Sequence, residues 1–424
     1  MIKKLEDIGF YTLSDYRCKQ VSDKSPLYRC ELILTDRCNF KCTYCRGLKK
    51  EYKGDMPFDN AMNVLKLWIK DGLKNVRFSG GEPTLYADLD KLVKYAKENN
   101  VEHIALSTNG SAKLEYYKHL IDCGVNDFSI SLDACCSSFA QSMAGGVNLV
   151  WDNLVNNIKE LSKLTYVTVG VVVTEENVNE LEKIIRFADS LGVSDIRIIS
   201  SAQYNKVLEN VIGIEPELIN KYPILKYRIE NIKEGRNVRG IKETDSRSCS
   251  LVLDDIAIVG DKHYPCIIYL REQGEPIGNV GENMRQERKE WFEKHNCYND
   301  KICRNNCLDV CVCHNNMCME LQINKPHKIE RLDSSLFEFS NWHSGHPLEL
   351  LGYPNEHLRY DNITEGEIKS AIKKYAIGYC EGHSLKVRPK TDSVAIMCQK
   401  DDSTFWFHMR NNEFVKIFRN EEAG

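Results

Sequence analysis

Between residues 31 and 200, short apolar or β-branched runs alternate with segments of helical periodicity, and this alternation leaves few folds open. The runs Glu31–Thr35, Val76–Ser79, His103–Ser107, Asp127–Leu132, Tyr166–Val173 and Asp195–Ile199 have the length and composition of strands buried on both faces. Between them, Phe58–Asp71 places Met62, Leu65, Trp68 and Ile69 on one helical face, and 88–99, 112–123, 148–164 and 177–191 read the same way. Gly72, Gly124 and Gly192 stand where helix C-termini need a residue free to adopt positive φ. The fold class this predicts is α/β: a parallel sheet with helices outside it, as a partial barrel or a doubly wound sheet.

The remainder divides by composition. Residues 1–30 form an N-terminal segment, 31–204 the barrel, 205–248 a less regular connection, and 249–325 a cysteine-rich stretch. That stretch holds a hairpin signal: Ile256–Val259, a turn at Gly260–Asp261, then His263–Ile268. Its apolar content is low, so metal ligation could supply what a core does not. Residues 326–424 read as a small α+β domain. Thr364 and Glu367 form a capping box for a helix to about Ala376, and Ser384–Arg388, Ser393–Cys398, Thr404–Met409 and Glu413–Phe418 read as consecutive strands. A net charge of −4 argues against a nucleic-acid binder acting by bulk charge. The opening MIKKLEDIGF has acids where a signal peptide would be apolar, and no run reaches the ~20 apolar residues of a membrane helix, so the expectation is a soluble cytoplasmic protein without a membrane partner.

Cysteine is the unusual component. There are 18, three of them at 38, 42 and 45 and eight between 249 and 318. In a reducing compartment, grouped cysteines ligate metal more often than they pair. LTDRCNFKCTYC places Cys38, Cys42 and Cys45 directly after the first strand, at the end where α/β folds put ligand sites. Structural zinc closes with four ligands, and so does a purely electron-carrying cubane. Three thiolates leave one metal position open, unless Cys30 or a distant residue completes a zinc knuckle. At the end of the second strand follows Ser79-Gly80-Gly81-Glu82-Pro83, whose glycines allow close backbone approach and whose Glu82 offers an acceptor for an ammonium group.

Together these motifs resemble the radical SAM superfamily: CxxxCxxC after the first strand with Tyr44 before the third cysteine, GGEP after the second, STNG (107–110) after the third, and SISLD (129–133) ending the fourth. The resemblance covers about 31–200. It implies a partial (β/α)6 TIM-like barrel, a [4Fe–4S] cluster on Cys38, Cys42 and Cys45, and S-adenosylmethionine (SAM) chelating the open iron. It further implies that Gly80, Gly81, Glu82 and Pro83 meet the SAM amino group, that Thr108 and Ser131 contact methionine or ribose, that Tyr44 lies near adenine, and that Arg197 is a candidate for the SAM carboxylate. An external one-electron reductant of flavodoxin or ferredoxin type would be a partner.

Cys249, Gly260, Cys266, GNVGEN (278–283), Trp291, then Cys297-x5-Cys303-x3-Cys307 resemble the SPASM or twitch extension that follows many such barrels. The pattern departs where Lys294 stands in place of a cysteine and where Cys311, Cys313 and Cys318 crowd together. One or two auxiliary [4Fe–4S] clusters are expected: one on Cys249, Cys266, Cys307 and one more, with the pattern leaving open a second on Cys297, Cys303 and two of Cys311, Cys313 and Cys318; a zinc ribbon is the rival. Cys18, Cys123, Cys135, Cys136, Cys380 and Cys398 read as buried small hydrophobes. His343 and His346 read as surface residues, and the basic stretch Arg46–Lys53 as a solvated loop.

The leading expectation is a radical SAM enzyme whose 5′-deoxyadenosyl radical abstracts hydrogen from a peptide, protein or small metabolite. Two alternatives stand beside it: a relative of the GTP 3′,8-cyclase of molybdenum cofactor biosynthesis, which the LTDRCNFKCTYC and GGEP context resembles strongly, and a non-enzymatic iron–sulfur or zinc module.

Overall fold

A computed structural model describes residues 5, 8, 15–147, 151–202, 204 and 213–323, and four strands between 384 and 419. Two compact units divide at Glu320/Leu321.

In the first unit, six parallel strands run in chain order: β1 (Arg29–Ile33), β2 (Asn75–Ser79), β3 (His103–Thr108), β4 (Asp127–Ser131), β5 (Tyr166–Val173) and β6 (Asp195–Ser200). A short N-terminal helix, α1 (Asp15–Gln20), precedes them. The crossovers carry α2 (Phe58–Lys70), α3 (Leu89–Glu98), α4 (Leu114–Cys123), α5 (Ser137–Met143), α6 (Trp151–Leu161) and α7 (Leu181–Ser190). Sequential neighbours joined by helical crossovers are the partial barrel, one of the two arrangements the alternation left open and the one the resemblance implied. The helices turn Leu65, Trp68, Leu92, Leu120, Ile158 and Ile184 inward onto strands whose Val76, Phe78, Ile104, Phe128 and Val169 are also buried.

From residue 213 the connecting stretch is more regular than its composition suggests. It holds α8 (Pro216–Lys221) and α9 (Pro223–Lys233). The Asp195 carboxylate, at the start of β6, accepts from Ile224 N at 3.2 Å and from Tyr166 OH at 3.2 Å, so it caps the first turn of α9.

The cysteine-rich stretch is not a separate layer. Its first strand, β7 (Asp255–Val259), pairs parallel with β1, from Arg29↔Asp255 to Ile33↔Val259, and so extends the barrel sheet beyond β1. Then β8 (Lys262–Tyr264) and β9 (Gly278–Asn279) add antiparallel. The second hairpin arm ends earlier than expected, because Cys266 caps a helix, α10 (Ile267–Arg271), accepting from Tyr269 N. Next come α11 (Met284–Lys294), α12 (Lys301–Asn306) and α13 (Asp309–Ile323). A buried ionic network fastens this join. Arg17 on α1 reaches Asp254 (2.7 and 2.9 Å) and Asp255 (2.6 Å), and Arg29 on β1 reaches the other oxygen of Asp255. Two cations against two carboxylates leave the cluster balanced, as burial requires.

The second unit shows the expected consecutive strands as an antiparallel meander: β10 (Ser384–Pro389), β11 (Val394–Lys400), β12 (Ser403–Arg410) and β13 (Glu413–Arg419). The capping-box helix, Cys380, His343 and His346 lie outside the described residues. No helix among the described residues is long and apolar enough to cross a membrane.

Burial raises the Asp195 carboxyl from 3.8 to about 7 against its several donors. The folded state therefore holds this proton more tightly than the unfolded chain does. The stabilisation is complete below pH 3.8 and is lost as pH rises through about 7. Asp195→Asn is expected to flatten that slope, by ~2–4 kcal/mol between pH 4 and 8, measured as the pH dependence of the denaturation midpoint.

Candidate functional site

The cysteine loop leaves β1 and is gripped on three sides. On the first, Gly81 N donates to Thr35 O and Glu82 N to Arg37 O, both at 2.7 Å. A Cβ on Gly80 would stand 2.4 Å from Thr35 O, and one on Gly81 2.2 Å from Arg37 O. The glycine pair is thus a packing requirement: only a bare backbone lets the GGEP turn run against the stem of the loop. On the second side, Lys41 N donates to Ala144 O at 3.0 Å, and Gly145 lies so close that a Cβ would fall 2.0 Å from Lys41 O. On the third, Arg271 on α10 donates to Gly47 O (2.9 Å) and Gly80 O (2.7 Å), while Arg46 pairs with Glu272 and Lys49 with Glu275. Arg46 and Lys49 are therefore engaged by the cysteine-rich stretch rather than free in solvent.

Within this grip, Cys38, Cys42 and Cys45 line one cavity of about 220 Å³ with Tyr44, Gly81, Thr108, Ser131 and Arg197. The three thiols are half-buried or exposed, and burial pushes that of Cys42 up to about 11. A thiol so disfavoured as a free anion ionises readily only when a cation takes the charge. The donor set and the adjoining cavity therefore suit a cluster held by three thiolates with a ligand beside it.

Three residues expected at the ligand are not on its wall. Gly80, Glu82 and Pro83 lie behind the cavity. Glu82 is 0% exposed, and its carboxylate accepts from Thr84 N (3.1 Å), Thr84 Oγ1 (2.7 Å), Thr108 Oγ1 (2.7 Å) and Asn109 N (2.7 Å). Burial pushes this carboxyl above its ordinary range. It is a strut joining the ends of β2 and β3, with three donors on Oε1 and one on Oε2.

Two residues unassigned by sequence face the cavity. Asn109 Nδ2 donates to Asn39 Oδ1 at 2.8 Å and lies 3.9 Å from Cys38 Sγ. Asp133 accepts from Tyr44 OH and, at 2.7 Å, from Val172 N, and burial raises it to about 6. Both belong to the STNG and SISLD runs, so the signal was present; Arg271 carries no comparable local signal. Arg197 Nη2 donates to Ser129 Oγ at 3.1 Å, and its buried Nε has no partner.

Arg197 and Ser107 also line a second cavity, of about 270 Å³. Around it stand Cys249, Cys266, Cys297, Cys303, Cys307 and Cys311. Burial pushes the Cys266 thiol up to about 12, whereas a hydrogen bond from Cys307, with the Arg29 guanidinium at 3.8 Å, lowers Cys311 to about 7. Six thiols around one space fit a single four-thiolate cubane with two to spare. Of the candidates for a second set, Cys297, Cys303 and Cys311 stand at this same cavity, where Cys297 and Cys303 meet His295 with ligand atoms within 4.8 Å of one another, while Cys313 and Cys318 do not join them. Cys313 lies apart, beside Tyr227 and Arg236, because it sits two residues past Cys311 on α13 and faces away; Cys318 is buried against Cys18 and His314.

Residues 32–188 match the family model described as the radical SAM superfamily. The matched span is that of the barrel, from β1 through most of α7. GTP 3′,8-cyclase of Staphylococcus saprophyticus is 28% identical over 229 residues, covering 47% of this chain and 66% of that protein. The Staphylococcus carnosus enzyme of the same name is 31% identical over 202 residues, covering 44% and 54%. The chain thus spans less than two thirds of the length of these curated relatives. Among solved structures, Streptococcus suis SuiB bound to the precursor peptide SuiA aligns with a TM-score of 0.45 at 15% identity, covering 66% of each chain.

The contacts at Gly81 lead to a testable expectation. Gly81→Ala forces its Cβ into Arg37 O and should cost ~1–3 kcal/mol with reduced iron uptake on reconstitution. Gly213→Ala, where a Cβ meets nothing within 4 Å, should stay within ~0.5 kcal/mol of the parent. Denaturation midpoints and iron counts on the three proteins check this.

Proposed function

We propose that the chain is a radical SAM enzyme in which Cys38, Cys42 and Cys45 hold a [4Fe–4S] cluster and the adjoining cavity takes SAM. The observation that carries this reading is the convergence of exactly three loop thiols on one cavity at the carboxyl ends of the strands. When bound, the cluster and SAM supply reductive cleavage to methionine and a 5′-deoxyadenosyl radical that abstracts a substrate hydrogen. The chain's own residues position these groups. Glu82 ties the β2 and β3 loops together, and Tyr44 and Asp133 lock the last turn of the cysteine loop to the end of β4. Ser131 and Arg197 offer a hydroxyl and an orphaned N–H toward the ligand.

The six-cysteine cavity would hold one auxiliary [4Fe–4S] cluster, in a SPASM- or twitch-like extension. Arg197 and Ser107, which line both cavities, support a substrate bound between the two centres. An external flavodoxin- or ferredoxin-type reductant would supply electrons in the cytoplasm. The substrate is a peptide, a protein side chain or a small metabolite. The names of the relatives favour a second reading, GTP 3′,8-cyclisation.

Anaerobic reconstitution with iron and sulfide tests both. About eight irons per chain are expected, falling to about four in the Cys38→Ala/Cys42→Ala/Cys45→Ala protein. Reduction with SAM should release 5′-deoxyadenosine from the parent and none above background from the triple variant. A colourless protein with zinc on those thiols, or equal nucleoside release by the variant, overturns the proposal. A cyclised guanosine product formed from added GTP would decide for the second reading.

A further inference from the structure

Beyond both cavities lies a third group of metal-ligating side chains. Cys18 on α1 and His314 and Cys318 on α13 come together from opposite ends of the first unit. They are 1%, 2% and 0% exposed, and none lines either cavity. Cys18 Sγ stands 3.5 Å from His314 Nδ1, and Cys318 Sγ 3.4 Å from His314 Nε2. One ligand atom from each residue lies within 4.8 Å of the other two. We propose that Cys18, His314 and Cys318 hold a structural zinc ion, distinct from the iron–sulfur centres, that fastens α1 to α13.

Three arguments support it. The first is geometric. Zinc bonds of ~2.3 Å to sulfur and ~2.0 Å to nitrogen imply sulfur–nitrogen edges of about 3.5 Å in a tetrahedron; each sulfur already has such an approach, to a different ring nitrogen, and the single nitrogen that would bind lies within 4.8 Å of both sulfurs, so a small shift of one thiol closes the site. His314 and Cys318 are four apart on α13 and so share one face. The second is chemical. Thiols are weak hydrogen-bond donors, and a buried imidazole flanked by two of them gains little from such contacts. A borderline-soft ion with mixed sulfur and nitrogen ligands turns the same trio into strong bonds. The third is electrostatic. Two thiolates and a dication sum to zero, and the nearby Arg17 charge is already met by Asp254 and Asp255, so the filled site adds no net charge to the interior. Ser250, whose side chain reaches Cys318, marks where an oxygen donor would complete the tetrahedron.

The test is metal analysis of the full chain, purified anaerobically from zinc-replete cells and then reconstituted with iron and sulfide. Stoichiometric zinc is expected alongside the iron. X-ray absorption at the zinc edge should show two sulfurs at ~2.3 Å and nitrogen or oxygen at ~2.0 Å. Cys18→Ser and His314→Gln should each lose at least nine tenths of the zinc with iron per chain unchanged. Should either variant fail to fold, the absorption measurement on the parent still decides. Absence of zinc from the parent, an all-sulfur zinc shell, or full zinc retention by Cys18→Ser overturns the proposal. Since iron and 5′-deoxyadenosine are read separately, failure of the radical SAM reading leaves this result intact.

Discussion

The approach of two backbones at the top of β1 and β2 is the contact on which the site rests. Gly80 and Gly81 lie against Thr35–Arg37 at distances no side chain would permit, and that contact sets where the cysteine loop begins. Everything downstream inherits the position. Glu82 follows immediately and spends its carboxylate on the β3 loop, so the loops after β1, β2 and β3 become one body. A buried carboxylate with four donors is costly to disturb, which makes this a stiff mount for chemistry that must be aimed.

The cysteine-rich stretch contributes to the same mount. Because β7 joins the barrel sheet beside β1, the stretch begins alongside the strand that launches the cysteine loop. Arg271, Glu272 and Glu275 then reach back to hold the far end of that loop and the Gly80 carbonyl. The two cysteine groups are thereby placed on either side of Arg197. One guanidinium therefore faces both cavities.

Much of this was legible in the residues, and particular elements show why. The strands and helices between 29 and 200 follow apolar periodicity, a local property that survives whatever the tertiary context. Cys38, Cys42 and Cys45 fall within eight residues of one loop, so their convergence on one cavity is a short-range matter. Glu82 reads differently in the folded chain, because its role is set by Thr108 and Asn109, 26 and 27 residues away. Ligand grouping among the later cysteines was harder still. Spacing alone divides eight residues into sets of four, whereas helix phase on α13 turns Cys311 toward the second cavity, Cys313 toward Tyr227, and Cys318 toward Cys18.

By itself, then, the chain's sequence determined the alternating strands and helices and the loop that carries three thiols, since each depends on periodicity or on neighbours a few residues apart. Only the tertiary structure decided that the cysteine-rich stretch shares the barrel sheet, that Glu82 braces loops instead of facing a ligand, and that Cys18 meets His314 across 296 residues of chain. Contacts of that kind are chosen by which surfaces pack, and packing couples positions whose separation along the chain carries no information about their separation in space.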